Sequence, residues 1–139
     1  MKVERIDIGT IPALVWGDAS DKLLLCVHGK MGSKECADGI ARIAREKGYQ
    51  TISFDLPQHG ERKDEEGRCD IWNGIRDLTT VGNYAFAHWK EISLYACSLG
   101  AYFSLHAYSM RGFKQCLFQS PILDMEYLIG QMMQWFDVS

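Results

Sequence analysis

Apolar and polar residues alternate along Val3–Ile8, Gly9 and Thr10 interrupt the pattern, and an apolar run resumes over Ile11–Trp16 before Gly17-Asp18. This predicts an antiparallel β-hairpin near a sheet edge. Lys22–Val27 is almost continuously apolar and ends at His28-Gly29, the pattern of a strand buried on both faces of a parallel sheet. A helix should follow, with Ser33 as N-cap and Ala37, Ile40, Ala41 and Ala44 at helical spacing. Arg45 and Lys47 favour its C-terminal dipole end, and Gly48 is placed to stop it.

The rhythm then repeats. Residues 50–56 read as a strand closed by Pro57 and Gly60, and residues 61–70 carry eight charges in ten positions, a solvated loop that could border a site. Residues 74–89 form a weaker helix pattern, with Ile75, Leu78, Val81, Ala85 and Trp89 roughly on one face but Thr79, Thr80 and Gly82 against it. Glu91–Cys97 is a strand, 99–110 a helix and 114–119 another strand. Residues 124–136 begin at Asp124, an N-cap type, and present Leu128, Ile129, Met132, Met133 and Phe136 as a broad apolar surface that something must cover. The whole is a doubly wound, mostly parallel α/β sheet with an N-terminal antiparallel hairpin, a single domain over 1–139.

Composition narrows the partners. With 139 residues, 47% of them hydrophobic and 24% charged, the chain has the makeup of a folded domain, neither disordered nor fibrous. A formal charge of -3 offers no basic footprint for nucleic acid or an anionic membrane, which leaves a small molecule or another protein. No apolar run approaches the ~20 residues that span a bilayer, and the charged N-terminus is unlike a signal peptide, so a cytoplasmic protein is expected. The five cysteines agree: they form no Cys-x-x-Cys pair, and Cys26, Cys97 and Cys116 fall in strand-like runs as small buried residues, with reduced thiols the default.

In doubly wound sheets ligands bind outside the carboxyl ends of the strands. Three such ends carry marked residues: His28-Gly29-Lys30-Met31-Gly32, Asp55-Leu56-Pro57-Gln58-His59-Gly60 and Ala96-Cys97-Ser98-Leu99-Gly100. The third, a serine between small residues on a sharp strand-to-helix turn, has the form of a nucleophile elbow, with Ala96 standing where Gly-x-Ser-x-Gly has its first glycine. A neutral hydroxyl is a poor nucleophile, so it must stand clear of the sheet and face a base, and the helix that follows aims its N–H groups at developing negative charge.

These three turns in this strand order resemble the α/β-hydrolase superfamily, along essentially the whole chain. The resemblance implies Ser98 as nucleophile and the main-chain N–H of Leu99 as one oxyanion donor. It implies Lys30 N–H as the second donor, with Met31 N–H as the alternative. The implied reaction is hydrolysis of a small-molecule acyl substrate, an ester, thioester or small amide, through an acyl-enzyme. No cofactor is implied, the cysteines and histidines lack zinc-ligand spacing, and no phosphate loop is present. In this family His28 and His59 are usually structural. Asp55 is expected to orient its own turn, Cys97 to point into the core away from Ser98, and His88 and His106 to pack or face solvent.

The superfamily order of triad members is Ser, then Asp or Glu, then His. After Ser98 the chain offers Asp124 as a candidate acid and no later histidine. The 139 residues therefore read as the first part of a larger domain, incomplete at its C-terminus, in which residues 124–139 begin a lid or cap. Alone, such a chain is expected to be nearly inactive. The alternative is a non-catalytic fragment that associates with a partner, as a homodimer through the sixth-strand edge or the terminal helix.

Overall fold

A computed structural model describes residues 1–65, 67, 69–109 and 111–119. The hairpin forms from β1 (Val3–Ile8) and β2 (Ile11–Trp16), and it is followed by β3 (Lys22–Val27), β4 (Gln50–Phe54), β5 (Glu91–Cys97) and β6 (Cys116–Gln119). Three α-helices separate the later strands: α1 (Asp38–Glu46), α2 (Ile71–His88) and α3 (Leu99–Tyr108). The sheet runs in the order β1-β2-β4-β3-β5-β6. Only the hairpin is antiparallel, to itself and to β4, while β4, β3, β5 and β6 are mutually parallel.

The alternation of side chains along each strand divides the interior into two layers. Leu23, Leu25 and Val27 of β3, Ile52 and Phe54 of β4, and Leu94 and Ala96 of β5 share one buried cluster with Leu78, Val81 and Ala85 of α2 and Phe103 and Leu105 of α3. The opposite face packs a smaller cluster under α1, built from Trp16, Cys26, Ala37 and Ala41. Helices thus cover both faces, as near-continuous apolar parallel strands require.

Element boundaries depart from the periodicity where side-chain hydrogen bonds intervene. Strand β4 stops at Phe54, two residues early, because Asp55 N–H turns to Pro12 C=O and Leu56 N–H to the His28 imidazole. Helix α2 begins three residues earlier than the apolar stripe, at Ile71, because Asp70 caps it by accepting from Asn73 N–H at 2.8 Å. Gly82, which weakens α2 as an isolated helix, lets the Tyr108 ring of α3 approach: a Cβ there would lie 2.8 Å from that ring. The Tyr108 hydroxyl in turn donates to Leu78 C=O. The chain after β3 makes one 3-10 turn, Lys34–Ala37, before α1; Ser33 stands at its start without a side-chain cap bond. Strand β6 starts at Cys116, and residues 124–139 lie outside the described residues.

The charged segment after Gly60 is less solvated than its composition implies. Arg62 is buried, with its guanidinium 2.6 Å from the Asp77 carboxylate on α2 and 2.9 Å from Glu65, and it donates to Asp55 C=O. The segment is therefore stapled to α2 by a buried ion pair.

Candidate active site

The junction of β5 and α3 concentrates the strain. Ser98 sits there at φ 50°, ψ -116°, a positive φ outside glycine, and it is 6% exposed. Such a backbone costs on the order of 1–3 kcal/mol and persists only where the surroundings enforce it. They do so here. Ser98 N–H donates to Gln119 C=O of β6 at 2.7 Å, and its own C=O accepts from Tyr102 N–H in the first turn of α3. Gly100 allows the helix to start against β3, since a Cβ at that position would lie 2.2 Å from His28 C=O.

The turn after β3 packs directly on this junction. A Cβ on Gly29 would fall 3.0 Å from Ser98 Cβ and 3.2 Å from Cys97 C=O. The turn is closed by Gly32 N–H donating to Gly29 C=O, with Met31 at φ 68° and its side chain 91% exposed. The fold thus sets Gly29, at the start of the turn that carries Lys30 and Met31, against Ser98, while Asp124 lies outside the described residues.

His28 is locked in place. Leu56 N–H donates to its Nε2 at 3.0 Å, so the proton sits on Nδ1 and is donated to Gly29 C=O at 2.7 Å. Burial disfavours the charged ring and pushes its pKa down to about 4. Its folded pKa is therefore below the unfolded value, so the unfolded chain takes up the proton first as pH falls. Stability is expected to be full above pH about 6.5 and to drop by about 3 kcal/mol on going to pH about 4. Denaturant titrations across that interval should reveal the slope, and His28→Gln should flatten it.

Cys97 is half-buried and lines a cavity of about 300 Å³ beside Gly29 with Cys26, Cys36 and Tyr95, more open than the core position its sequence context implies. Its thiol pKa is raised by burial. Among the described residues, no group of three or more His, Cys, Asp or Glu could hold a metal ion. Nor is any described helix long and apolar enough to cross a membrane.

The residues that sequence periodicity misses are buried charges. Lys34, 2% exposed, places its ammonium 2.9 Å from Asp55, 2.8 Å from Glu61 and 3.1 Å from Glu35. Burial opposes its charge, but the hydrogen bonds it donates to Glu61, Asp55 and Glu35 outweigh this and hold its pKa above the ordinary lysine value. Asp55 also accepts Lys34 N–H at 2.8 Å and Glu61 N–H at 3.0 Å, so one carboxylate ties the turn after β3 to the turn after β4. Arg5 of β1 joins the network through Glu61, whose carboxyl is held down to about 2 by the Arg5 and Lys34 hydrogen bonds.

The sheet order, the three strand-end turns and the strained serine define an α/β-hydrolase, and the chain belongs to that superfamily. No family model matches it. A serine hydrolase-like protein of Dictyostelium discoideum is 34% identical over 101 residues, 69% of this chain and 28% of that protein. The chain thus spans less than a third of that relative. Among solved structures, a Thermus thermophilus protein is 25% identical with a TM-score of 0.67, over 84% of this chain and 55% of its own. A cold-adapted esterase from an Arctic intertidal metagenomic library shares the fold at 20% identity and a TM-score of 0.66, over 84% of this chain and 58% of its own.

Proposed function

We propose that the chain is the nucleophile-bearing part of a serine hydrolase that cleaves an ester, thioester or small amide. The observation that carries this is the backbone of Ser98, a non-glycine residue held at positive φ between a central strand and a helix N-terminus. The similarity to a serine hydrolase-like protein and to an esterase fold supports it.

In this reading Ser98 Oγ attacks the carbonyl carbon while its proton passes to a base. The oxyanion is held by Leu99 N–H and Lys30 N–H, or Met31 N–H in place of the latter. Collapse expels the alcohol, thiol or amine with a proton returned to it. Water then attacks the acyl group on Ser98 by the same route in reverse. His28 is excluded as the base, because its Nε2 already accepts from Leu56 N–H. The superfamily order places the histidine C-terminal to the sixth strand, with Asp124 a candidate for the acid.

A fluorophosphonate should label the protein at Ser98, slowly in this 139-residue chain, because oxyanion stabilisation leaves residual reactivity when a triad member is missing. Peptide mapping should find the label on Ser98 and none in Ser98→Ala; equal labelling of the two proteins overturns the assignment. Ser98→Gly is expected to abolish labelling too while raising stability by about 1 kcal/mol, because glycine adopts this backbone without strain. A thermal melt that shows no gain counts against strain at this turn.

A further inference from the structure

The turn that carries Lys30 and Met31 has little of its own to hold it. Residues 29–33 read Gly-Lys-Met-Gly-Ser, with Met31 at φ 68°, and the hydrogen bond from Gly32 N–H to Gly29 C=O at 3.0 Å closes them. Ser33 adds no side-chain cap bond. Two glycines in so short a segment leave it many alternatives to this one shape. The N–H groups of Lys30 and Met31 donate to no described residue, so nothing inside the turn fixes where they point.

The fixed points lie on either side, and both lead to consecutive residues of the turn after β4. Upstream, His28 donates from Nδ1 to Gly29 C=O at 2.7 Å and accepts Leu56 N–H on Nε2 at 3.0 Å. Downstream, Asp55 Oδ1 accepts Lys34 N–H at 2.8 Å and Oδ2 accepts the Lys34 ammonium at 2.9 Å. The carboxylate is itself held fast. It is fully buried, Oδ2 also takes Glu61 N–H at 3.0 Å, Asp55 N–H is bonded to Pro12 C=O, and Arg62 donates to Asp55 C=O. Gly60 packs against it, since a Cβ there would lie 2.1 Å from Oδ1. A rigid acceptor that binds both the main chain and the side chain of Lys34 sets where the turn must end.

We infer that Asp55 is the positioning residue of the oxyanion turn: through Lys34 it holds residues 29–33 against Ser98, so that the free N–H of Lys30 or Met31 is aimed before a substrate arrives. This rests on the hydrolase reading and adds to it the residue on which the second donor depends. Asp55 acts at one remove, through the Lys34 main chain, and takes no part in the proton transfers. Oxyanion donors work when preorganised, and a displacement of about 1 Å costs on the order of 10²-fold in rate. Lys34 stands close enough in sequence to both donors to impose one.

Fluorophosphonate labelling of Ser98 reads this pin, because oxyanion stabilisation and binding supply the residual rate when a triad member is missing. Rates taken over a range of probe concentrations separate saturation from bond formation. Asp55→Asn should slow the bond-forming step about 10- to 100-fold and leave the half-saturating concentration unchanged, since an amide nitrogen accepts neither the ammonium nor Glu61 N–H. Lys34→Met keeps both main-chain donors to the carboxylate, so it should slow the step by less, about three- to tenfold. Tyr108→Phe is the control for a purely structural role. It removes a buried hydrogen bond to Leu78 C=O at the other end of α3, and should lower the melting temperature with the labelling rate unchanged. If Asp55→Asn fails to fold, Lys34→Met carries the test. Labelling of the folded variant at the parental rate overturns the proposal, as does equal slowing in Tyr108→Phe. A change confined to the half-saturating concentration assigns Asp55 to probe binding and overturns it too. Absence of label from Ser98 in the parent is a different failure, that of the hydrolase reading itself, and the proposal falls with it.

Discussion

Gly100→Ala is expected to cost about 4 kcal/mol or more, enough to unfold a domain of ordinary stability. The added Cβ would lie 2.2 Å from His28 C=O and 2.8 Å from both Val27 C=O and Val27 Cγ1. Two of those three atoms are backbone at the end of the central strand, and they cannot move without disturbing β3's pairing to both β4 and β5. The helix gains little from the better helix former, because alanine for glycine returns only about 1 kcal/mol. Gly39→Ala on α1 supplies the comparison: a Cβ there meets nothing within 4 Å, so that change should stabilise by about 0.5–1 kcal/mol. Urea midpoints of the two variants should therefore move in opposite directions. A Gly100→Ala protein as stable as its parent would mean that α3 does not start where the strand-end turn places it.

The second large effect belongs to Asp55. Asp55→Ala is expected to lose about 3–5 kcal/mol, the range for removing one partner of a buried ion pair. The carboxylate is fully buried and accepts from the Lys34 ammonium, Lys34 N–H and Glu61 N–H. Its removal orphans two backbone donors and leaves the ammonium to Glu61 and Glu35, both on the exposed side of the network. Asp55→Asn should cost less, because an amide oxygen still accepts one of those donors. Guanidinium unfolding of the pair should rank Ala well below Asn; a loss under 1 kcal/mol for Asp55→Ala would remove this carboxylate from the account of how the two turns are joined.

What was legible in the sequence followed its local periodicity. The hairpin and β3 were readable to the residue because apolar alternation or an unbroken apolar run ends at glycine or histidine, and β5 because its apolar positions stop at the small-residue turn around Ser98. The serine turn was readable because a tight strand-to-helix junction needs small neighbours on both sides, and Ala96 and Gly100 are within two residues of Ser98. Lys34 and Asp55 are 21 positions apart, and Arg62 and Asp77 are 15. No window of local pattern tells such pairs from solvated charges, so a charge-rich segment read as loop hides a buried guanidinium. The start of α2 was missed for a nearer reason: Asp70 is a good cap, but the apolar stripe that draws the eye begins only after the capped turn.

That order also governs how the chain is made. Strand β3 lies at the middle of the sheet, and its two neighbours come from opposite ends of the remaining sequence: Leu23 pairs with Gln50 on one side and Ile92 on the other. On the ribosome β4 emerges first, and one edge of an almost wholly apolar strand then stays unpaired while residues 55–97 are synthesised, roughly 2–9 s at ordinary translation speeds. Over that interval Leu23, Leu25 and Val27 are a template for any passing strand, so the nascent chain is at its most aggregation-prone just before the serine turn is complete.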